Sequence, residues 1–271
     1  MSRILVATDF SDSSLNAFKF VKEMIQKYPM PIDLIHVFDI PIPTATALTT
    51  NAVAGMIMER EKAVTEHLKE LHEELPENLR GKIYSVHGTY PSTEIAEKAD
   101  EIGASLIVMA LREKYSFFEK MIGSTTAHTI QKSHVPVLAI PNGVQFSGIS
   151  KILFPTEMRV DEELSKQELK AMKWLHEFSG FVAKPDIHVI HISKSSKQVD
   201  TIIKDKPFPG MEFIVSGAET IEAGILHHLE KTSADLLAVY KPNRSFWERL
   251  YHSSVTRKLL VNSRIPLLVF S

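Results

Sequence analysis

A short polar stretch, Gly123 followed by Ser124 and Thr125, has residue types suited to holding an anion. It comes after an apolar segment at residues 106–110 and a polar loop, and another apolar segment follows it at residues 135–140. Glycine and hydroxyl residues that open a helix after a strand direct backbone N–H groups toward one point, where an anion can bind. Ser124 and Thr125 therefore either hold an anion or only cap the helix that begins there, and the sequence leaves both alternatives open.

A second chemical group, the carboxylate of Asp9, stands just after an apolar run at residues 4–7. Short continuous apolar runs are typical of strands buried on both faces of a parallel sheet. Ligands of open α/β sheets bind in the crevice outside the carboxyl ends of such strands. Asp9 is therefore either a ligand-binding carboxylate or one that caps the next helix, and the sequence leaves both alternatives open.

Strands and helices alternate through the first half of the chain. Mostly apolar runs predict strands at residues 4–7, 34–38, 83–87 and 106–110. Apolar residues at helical spacing predict helices between them, with Ser11, Asp12 or Ser13 as the first N-cap and Gly103 as a C-terminal glycine. Because parallel strands need crossover connections, the pattern predicts a doubly wound α/β fold.

The same order of segments returns from residue 152 onward. Residues 152–157 match residues 4–9, residues 189–192 match residues 34–37, and residues 235–239 match the fourth strand. Gly217 follows the second strand of its half sooner than Gly88 follows its own, so the second half has lost chain there. The sequence therefore predicts two tandem α/β domains, at residues 1–142 and 150–271, each with a five-stranded parallel sheet flanked by helices.

The last strand of each half, at residues 135–140 and 266–270, is apolar and would lie at a sheet edge. An exposed apolar edge is an aggregation hazard. We therefore predict that the two edges pair or pack with each other, so that the halves form an intramolecular pseudo-twofold pair. Association of two such chains into a homodimer is left open.

Composition sets the broad class of protein. The chain has 271 residues, 44% hydrophobic and 24% charged, with no cysteine and a formal net charge of −2. The lack of cysteine excludes disulfide scaffolds and cysteine nucleophiles, and the small net charge gives no reason to expect nucleic acid as a partner. The sequence contains no apolar stretch of the roughly 20 residues that a membrane span needs, and its first apolar run is too short for a signal peptide. We expect a cytoplasmic protein with no membrane partner.

The segments in this order resemble the universal stress protein family in its tandem two-domain form. The resemblance is carried by residues 4–9 (Ile-Leu-Val-Ala-Thr-Asp), 88–91 (Gly-Thr-Tyr-Pro), 104–110, 123–124 and 135–138. It implies a Rossmann-like fold, of the adenine nucleotide alpha hydrolase-like type, in both halves. It also implies a stress-response protein that is not an enzyme, with ATP or another adenine nucleotide as its candidate cofactor.

Nucleotide-binding members of the family share a phosphate signature, Gly-x-x-Gly followed after a fixed spacing by Gly-Ser or Gly-Thr. Counted back from Gly123, the first two glycine positions hold Ala110 and Glu113. A carboxylate at Glu113 would repel a triphosphate, an effect that Arg112 and Lys114 would offset. In the second half no glycine stands at these positions, whether they are counted back from His252 or found by aligning the fourth strands of the two halves. The resemblance therefore implies a degenerate nucleotide site with weak ATP binding or none.

For the nucleoside end of the site, the resemblance implies a carboxylate after the first strand and main-chain contacts from the second. Asp9 matches the carboxylate and Val37 the main-chain position, while Glu157 and Ile192 take these places in the second half. Any remaining binding of an adenine nucleotide is therefore expected in the first half. Its candidate residues are Asp9, Val37, Ala110, Gly123, Ser124 and Thr125.

The sequence predicts neither a metal site nor a catalytic site. His188 and His191 lie at an odd spacing on one predicted strand and so face opposite sides of it. No Ser/His/Asp order or carboxylate pair stands out as hydrolytic machinery. Two alternatives to a binding protein with a degenerate site stay open: an ATP- or AMP-binding regulatory switch with slow ATP hydrolysis in the first half, and a protein-interaction scaffold that uses the aromatic pairs at residues 117–118 and 246–247.

Overall fold

The chain alternates between strands and helices, as the sequence predicts. The computed structural model describes residues 2–40, 50–111, 124–156, 166–194, 200–204, 208–240 and 265–270. The strands are β1 (Ile4–Ala7), β2 (Ile32–Phe38), β3 (Arg80–His87), β4 (Leu106–Leu111), β5 (Val137–Pro141), β6 (Lys151–Thr156), β7 (Asp186–Lys194), β8 (Asp200–Lys204), β9 (Met211–Ala218), β10 (Leu236–Tyr240) and β11 (Leu267–Phe270). The helices are α1 (Asp12–Lys27), α2 (Thr50–Glu73), α3 (Pro91–Glu101), α4 (Ser124–Lys132), α5 (Lys166–Phe181) and α6 (Ile221–Thr232), with a 3-10 turn at Glu77–Leu79.

In the first half, the strands β3, β2, β1, β4 and β5 lie side by side in that order and run parallel. Helices cover both faces of this sheet, so β1 and β4 are buried along their whole length. On one face α1 and α2 contribute Phe18, Met24 and Leu68 to the core, and on the other face α3 and α4 contribute Ile95 and Ile130. The predicted doubly wound α/β fold is confirmed.

Local sequence sets where the helices of the first half begin and end. Ser11 is the N-cap of α1, and its hydroxyl accepts a hydrogen bond from the backbone N–H of Ser14 at 3.3 Å. Pro91 opens α3, where its fixed φ suits the first helical turn. Gly103, just beyond α3, has a φ of +62°, a left-handed conformation that glycine adopts without a steric penalty. The predicted N-cap and C-terminal glycine are both confirmed.

The second half repeats this layout with one difference. Its parallel strands follow the order β11, β10, β6, β7, β9, and the short strand β8 pairs antiparallel with β9 at the outer edge. In the first half a helix of 24 residues, α2, occupies the corresponding part of the chain. A strand of five residues needs less chain than such a helix. This agrees with the shorter sequence that the second half has after its second strand. The two Rossmann-like halves are confirmed, and β8 is an additional antiparallel strand that the sequence analysis did not predict.

The two halves join through β5 and β11, which pair antiparallel and complete a sheet of 11 described strands. Leu138 lies directly opposite Leu268 in this seam, and each is 1% exposed. The predicted pairing of the two terminal strands is confirmed, and its antiparallel direction gives the halves their pseudo-twofold relation. The division into domains at residues 1–142 and 150–271 stays a prediction, because the sheet and both of its cores continue across the seam.

Replacing Leu138 or Leu268 by alanine will lower the free energy of unfolding by about 2–5 kcal/mol, because each change removes buried methyl groups and leaves a cavity. Since the two residues are cross-strand partners, the double variant will depart from additivity by at least about 0.5 kcal/mol. Urea unfolding followed by circular dichroism measures all three variants. The control is Lys19→Ala at an exposed position of α1, with an expected change below about 0.5 kcal/mol. Strictly additive losses would contradict a seam that works as one packed unit.

Candidate functional site

The crevice at the carboxyl ends of β1, β2 and β4 collects candidate residues of the first half. β1 pairs with β2 on one side and with β4 on the other, so the connections from these strands turn in opposite directions. This makes the space beside the end of β1 a topological switch point, where open α/β sheets bind ligands. Asp9 follows β1, Val37 lies near the end of β2, and Ala110 lies near the end of β4.

Asp9 lies in a hydrogen-bonded turn between β1 and α1. Its Oδ1 accepts from the backbone N–H of Ser11 at 3.2 Å and from the Ser11 hydroxyl at 2.6 Å. Because Ser11 is itself the N-cap, the carboxylate also stabilises the positive end of α1. The helix-capping alternative for Asp9 is therefore visible in the structure. The side chain is also exposed, so it is within reach of a ligand in the crevice.

The backbone of Val37 faces the crevice. The carbonyl of Ile35 accepts from the N–H of Thr8 at 3.0 Å and so faces β1, whereas the carbonyl of Phe38 accepts from Gly88 on the β3 side at 3.0 Å. Backbone polar groups alternate in direction along a strand. Those of Val37 therefore face the same side as those of Ile35, beyond the point where the paired part of β1 ends. The main-chain groups of Val37 thus lie on the β1 side of β2, and their contact with a ligand stays a prediction.

The end of β4 is tied to the start of α4. The buried hydroxyl of Thr126 donates to the carbonyl of Ala110 at 2.9 Å. Since α4 begins at Ser124, its first backbone N–H groups, which lack partners within the helix, lie at the same edge of the sheet as Asp9. The side chain of Thr125 is half-buried in this first turn. The N-terminus of α4 therefore gives this end of the crevice a weakly positive electrostatic potential.

Part of the predicted phosphate end lies outside the described residues. This holds for Gly123 and for Glu113 with its basic neighbours. The aromatic pairs of the scaffold alternative, at residues 117–118 and 246–247, also lie outside the described residues. Of Ser124 only the backbone is described. The structure thus brings Asp9, Val37, Ala110 and Thr125 to one edge of the sheet, and the roles assigned to all six candidates stay predictions.

An aromatic layer beside the crevice is a feature that the sequence analysis missed. Phe10 has a φ of 60°, a left-handed conformation that is uncommon for a bulky residue. Its ring stacks on His36 of β2 with the centroids 4.6 Å apart, and meets His67 of α2 edge-on at 5.2 Å. The Nδ1 of His36 donates to the carbonyl of Thr8 at 2.8 Å. The layer ties the end of β1 to β2 and α2, and the lone histidine in the apolar β2 run was its signal in the sequence.

Burial lowers the pKa of His36 below its ordinary value, because a buried imidazolium loses its hydration. The hydrogen bond with Thr8 raises this pKa and Asp9 also raises it, whereas the charges of Arg60 and His67 lower it further. The net direction is downward, so His36 is neutral at neutral pH. With its proton on Nδ1, the ring holds the end of β1 without adding a positive charge to the crevice.

The equivalent edge of the second half is built differently. Thr156, at the end of β6, donates its hydroxyl to Oε1 of Glu168 on α5 at 2.8 Å, whereas the matching pair in the first half consists of two hydroxyls. Tyr240, at the end of β10, takes the place of Ala110. Burial raises the pKa of Tyr240, and the Glu168 carboxylate raises it further. A carboxylate and a bulky phenol at this edge disfavour a phosphate.

The first half of the chain matches a known protein family. The family model, described as the universal stress protein family, covers residues 1–141. The chain belongs to the universal stress protein family. Among curated relatives, a universal stress protein of Methanocaldococcus jannaschii is 27% identical in an alignment of 151 residues that covers 51% of this chain and 93% of that protein. One of Bacillus subtilis is 28% identical in an alignment of 152 residues that covers 51% of this chain and 98% of that protein.

Both halves of this universal stress protein share the fold of a solved structure. A universal stress protein from Archaeoglobus fulgidus matches with a TM-score of 0.68 over 99% of this chain and 96% of that chain. The sequence identity of 16% means that this likeness shows the fold alone. The family and the Rossmann-like fold that the sequence motifs imply are therefore confirmed.

Metal ions and bilayers each require a particular arrangement of side chains. Within the described residues, no group of three or more histidine, aspartate or glutamate side chains could hold a metal ion. No helix among them has the length and the apolar surface that crossing a bilayer requires. His188 instead lies 3.8 Å from the carboxylate of Glu212 on the neighbouring strand β9.

Stability will fall as the pH drops through the histidine range, in part because of His36. Its pKa is lowered in the folded state, so the unfolded chain binds the proton more readily, and the free energy of unfolding decreases below the ordinary pKa of about 6.5. His36→Asn keeps a donor for the Thr8 carbonyl without a titrating ring. Urea unfolding at about pH 7.5 and pH 5.5, on either side of that pKa, will show a smaller loss in this variant than in the parent.

The matched control is His134→Asn, which replaces an exposed histidine and should lose as much stability as the parent protein. An unchanged pH dependence in His36→Asn would contradict the assignment to His36.

Proposed function

We propose that this universal stress protein acts in the cytoplasm by binding and not by catalysis, and that its first half binds the adenosine part of an adenine nucleotide while holding the phosphates poorly. The observation that carries the proposal is the unequal crevice beside β1. The carboxylate of Asp9 and the backbone of Val37 suit a nucleoside. At the other end, Ala110 stands where the family signature has its first glycine.

The nucleoside end has the groups that an adenosine needs. The exposed carboxylate of Asp9 is an acceptor for ribose hydroxyls. The N–H and C=O of Val37 face the same side of β2 and offer a neighbouring donor and acceptor, which complement the edge of an adenine base. Hydrogen bonds within the protein fix both ends of the β1–β2 pair. The Asp9 carboxylate and the Val37 backbone groups are therefore pre-organised for the ligand.

The phosphate end is weaker. The first N–H groups of α4 attract an anion, but the Ala110 carbonyl already accepts from Thr126, which draws the start of α4 tightly against β4. The sequence adds the carboxylate of Glu113 at the second glycine position, between the cations Arg112 and Lys114. Like charge opposes a triphosphate there. In the second half, Glu168 and the bulk of Tyr240 argue against any nucleotide.

The order of affinities is the first test. We expect calorimetry to give dissociation constants for adenosine, AMP and ATP within about tenfold of one another, since the phosphates contribute little. Asp9→Asn keeps an acceptor for Ser11 and so preserves the α1 cap, yet it will weaken adenosine binding by about tenfold, or 1.4 kcal/mol, through loss of the charge. Unfolding of the same variant checks that it loses no more than the roughly 0.3–1 kcal/mol that a charge contributes at the start of a helix.

The alternative of an ATP-binding switch makes a different prediction for the same titrations. ATP would then bind far more tightly than adenosine, and Gly123→Val would abolish that advantage because its side chain fills the space where a phosphate approaches. Slow release of phosphate by the parent protein would accompany this result. Either outcome would overturn the proposal, whereas the absence of any heat with all three ligands would leave the scaffold alternative.

A second variant tests the phosphate end directly. Glu113→Gln removes one like charge with little change of shape, so it will tighten ATP about fivefold, equivalent to about 1 kcal/mol, and leave adenosine unchanged. Calorimetry at low ionic strength makes the difference largest. The matched control is Glu97→Gln, which removes an exposed carboxylate from α3. An equal gain in both variants would mean that only net charge matters.

A further inference from the structure

The two halves correspond residue by residue along α1 and α5. One constant offset aligns the buried Ala17 and Met24 of α1 with the buried Ala171 and Phe178 of α5. The same offset aligns three residues on the adjacent face of each helix: Asn16 with Lys170, Phe20 with Trp174, and Glu23 with Glu177. What covers this face in one half can therefore be compared directly with what covers it in the other.

In the first half, the face of α1 is covered by the chain that follows β5, which we call the linker (residues 142–150). Asn16 begins the contact, because its Nδ2 donates to the carbonyl of Pro141 at 3.3 Å and to that of Val144 at 3.2 Å. Val144 packs against the core beside α1, and Ile149 is buried near the end of the linker. The linker thus lies along α1 as a peptide bound by side-chain donors and apolar contacts.

Phe146 is the anchor of the linker. Its ring meets the ring of Phe20 edge-on, with centroids 5.3 Å apart, and reaches Tyr28 at 6.1 Å. Its backbone N–H donates to Oε2 of Glu23 at 3.3 Å. Under this cover Phe20 is only 4% exposed. The α1 face therefore binds a short peptide through one ring, one carboxylate and one amide side chain.

In the second half, the matching face of α5 lines an open groove. The groove is a cavity of about 300 Å³ whose walls include Lys170, Trp174, Glu177, Val135, Pro136 and Phe270. Lys170 and Glu177 are exposed and Trp174 is only half-buried, in contrast to their counterparts on α1. No described segment crosses this face in the way that the linker crosses α1. The binding residues of the α1 face are thus present here in equivalent form, without their peptide.

Trp174 is held in place for this role. Its ring stacks on Phe178 with centroids 5.1 Å apart and meets Phe270, at the end of β11, edge-on at 5.2 Å. A ring fixed on two sides loses little conformational entropy when a ligand packs on its remaining surface. Tryptophan also offers a larger face than the phenylalanine of the first half. The groove therefore offers a pre-formed apolar binding surface between two charged side chains.

We propose that the α5 groove binds an extended peptide segment of a partner protein, with a Val-x-Phe pattern like that of the linker. The aromatic residue packs on Trp174, the peptide carbonyls accept from the ammonium of Lys170, and a peptide N–H donates to the carboxylate of Glu177. Because the charges of Lys170 and Glu177 oppose each other, the groove recognises the aromatic ring and the backbone of the peptide and not its net charge. The cavity volume lies at the lower end of the range for ligand pockets, about 300–1,000 Å³. It therefore suits a single anchoring side chain.

The occupant is a partner segment and not the linker of a second copy. In each copy the linker is already bound to its own α1 through the Asn16 and Glu23 contacts. Donating it to another chain would expose Phe20, which is buried in the free molecule, and would break those hydrogen bonds. The proposal does not depend on nucleotide binding, because none of the groove residues belongs to the crevice beside β1.

The test uses the full chain and a synthetic peptide with the sequence of residues 142–149, blocked at both ends. Fluorescence of Trp174, in a Trp247→Phe background that removes the other tryptophan, will change on titration with a dissociation constant below about 1 mM. A peptide with alanine in place of its phenylalanine will bind at least about tenfold more weakly. Calorimetry repeats the titration without relying on fluorescence.

Protein variants locate the site. Trp174→Ala will lose binding in calorimetry, while Trp174→Phe, which restores the residue type found at Phe20, will retain it. Lys173→Ala changes an exposed neighbour on α5 that does not line the groove and should bind as the parent does. Urea unfolding of each variant separates a folding defect from a lost site, and Glu177→Lys at an exposed position supplies a second loss of binding with little effect on folding.

Three results would overturn the proposal. The first is no binding of the peptide at about 1 mM. The second is binding that Trp174→Ala and Glu177→Lys leave unchanged, which would place the peptide elsewhere. The third is a dimer of the parent protein in sedimentation equilibrium that Trp174→Ala dissociates, which would assign the groove to a second copy of the chain.

Discussion

The antiparallel pairing of β5 with β11 is the interaction on which the rest of the structure depends. Each half ends on an apolar strand, and an unpaired strand of this kind leaves backbone N–H and C=O groups without partners and invites aggregation. By pairing, the two strands satisfy each other and turn two modest sheets into one. Both hydrophobic clusters then extend across the seam, so each half is part of the core of the other.

The edge of the first half shows how one group serves folding and binding together. Asp9 accepts two hydrogen bonds from Ser11 and so helps to start α1. The next residue, Phe10, adopts a left-handed conformation that costs about 1–2 kcal/mol, and its contacts with His36 and His67 offset this strain. Strained residues of this kind cluster at ligand sites because the surrounding structure holds them there.

Much of the fold could be predicted from the sequence because its signals are local and repeated. Apolar runs marked the buried strands, Ser11 and Gly103 marked helix limits, and the apolar terminal strands indicated the seam. The strand β8 could not be predicted, since the sequence showed only that chain was missing and not which element replaced it. The aromatic layer was missed because the histidine in the β2 run marks only one member of it, and the position of the Phe10 ring depends on the left-handed backbone conformation of that residue.

The site could be predicted only in part, for a similar reason. Motif positions identified Asp9 and Val37, but whether a backbone group faces a crevice depends on strand register, which pairing in three dimensions determines. The groove on α5 was also beyond the sequence analysis. It became visible only when the linker was seen on α1, because the same residue types are ordinary surface positions until their counterparts are found holding a peptide.

The direction of the seam has a consequence for how the molecule meets its surroundings. Since strands of the two halves run in opposite directions, their carboxyl edges point to opposite poles of the sheet. Phe270, which borders the α5 groove, ends β11 at one pole, whereas Asp9 follows β1 at the other. A small molecule and a protein could therefore occupy the two poles at once without touching. The two ends of the sheet therefore differ in chemistry, because one carries the exposed carboxylate of Asp9 and the other the groove with the ring of Trp174.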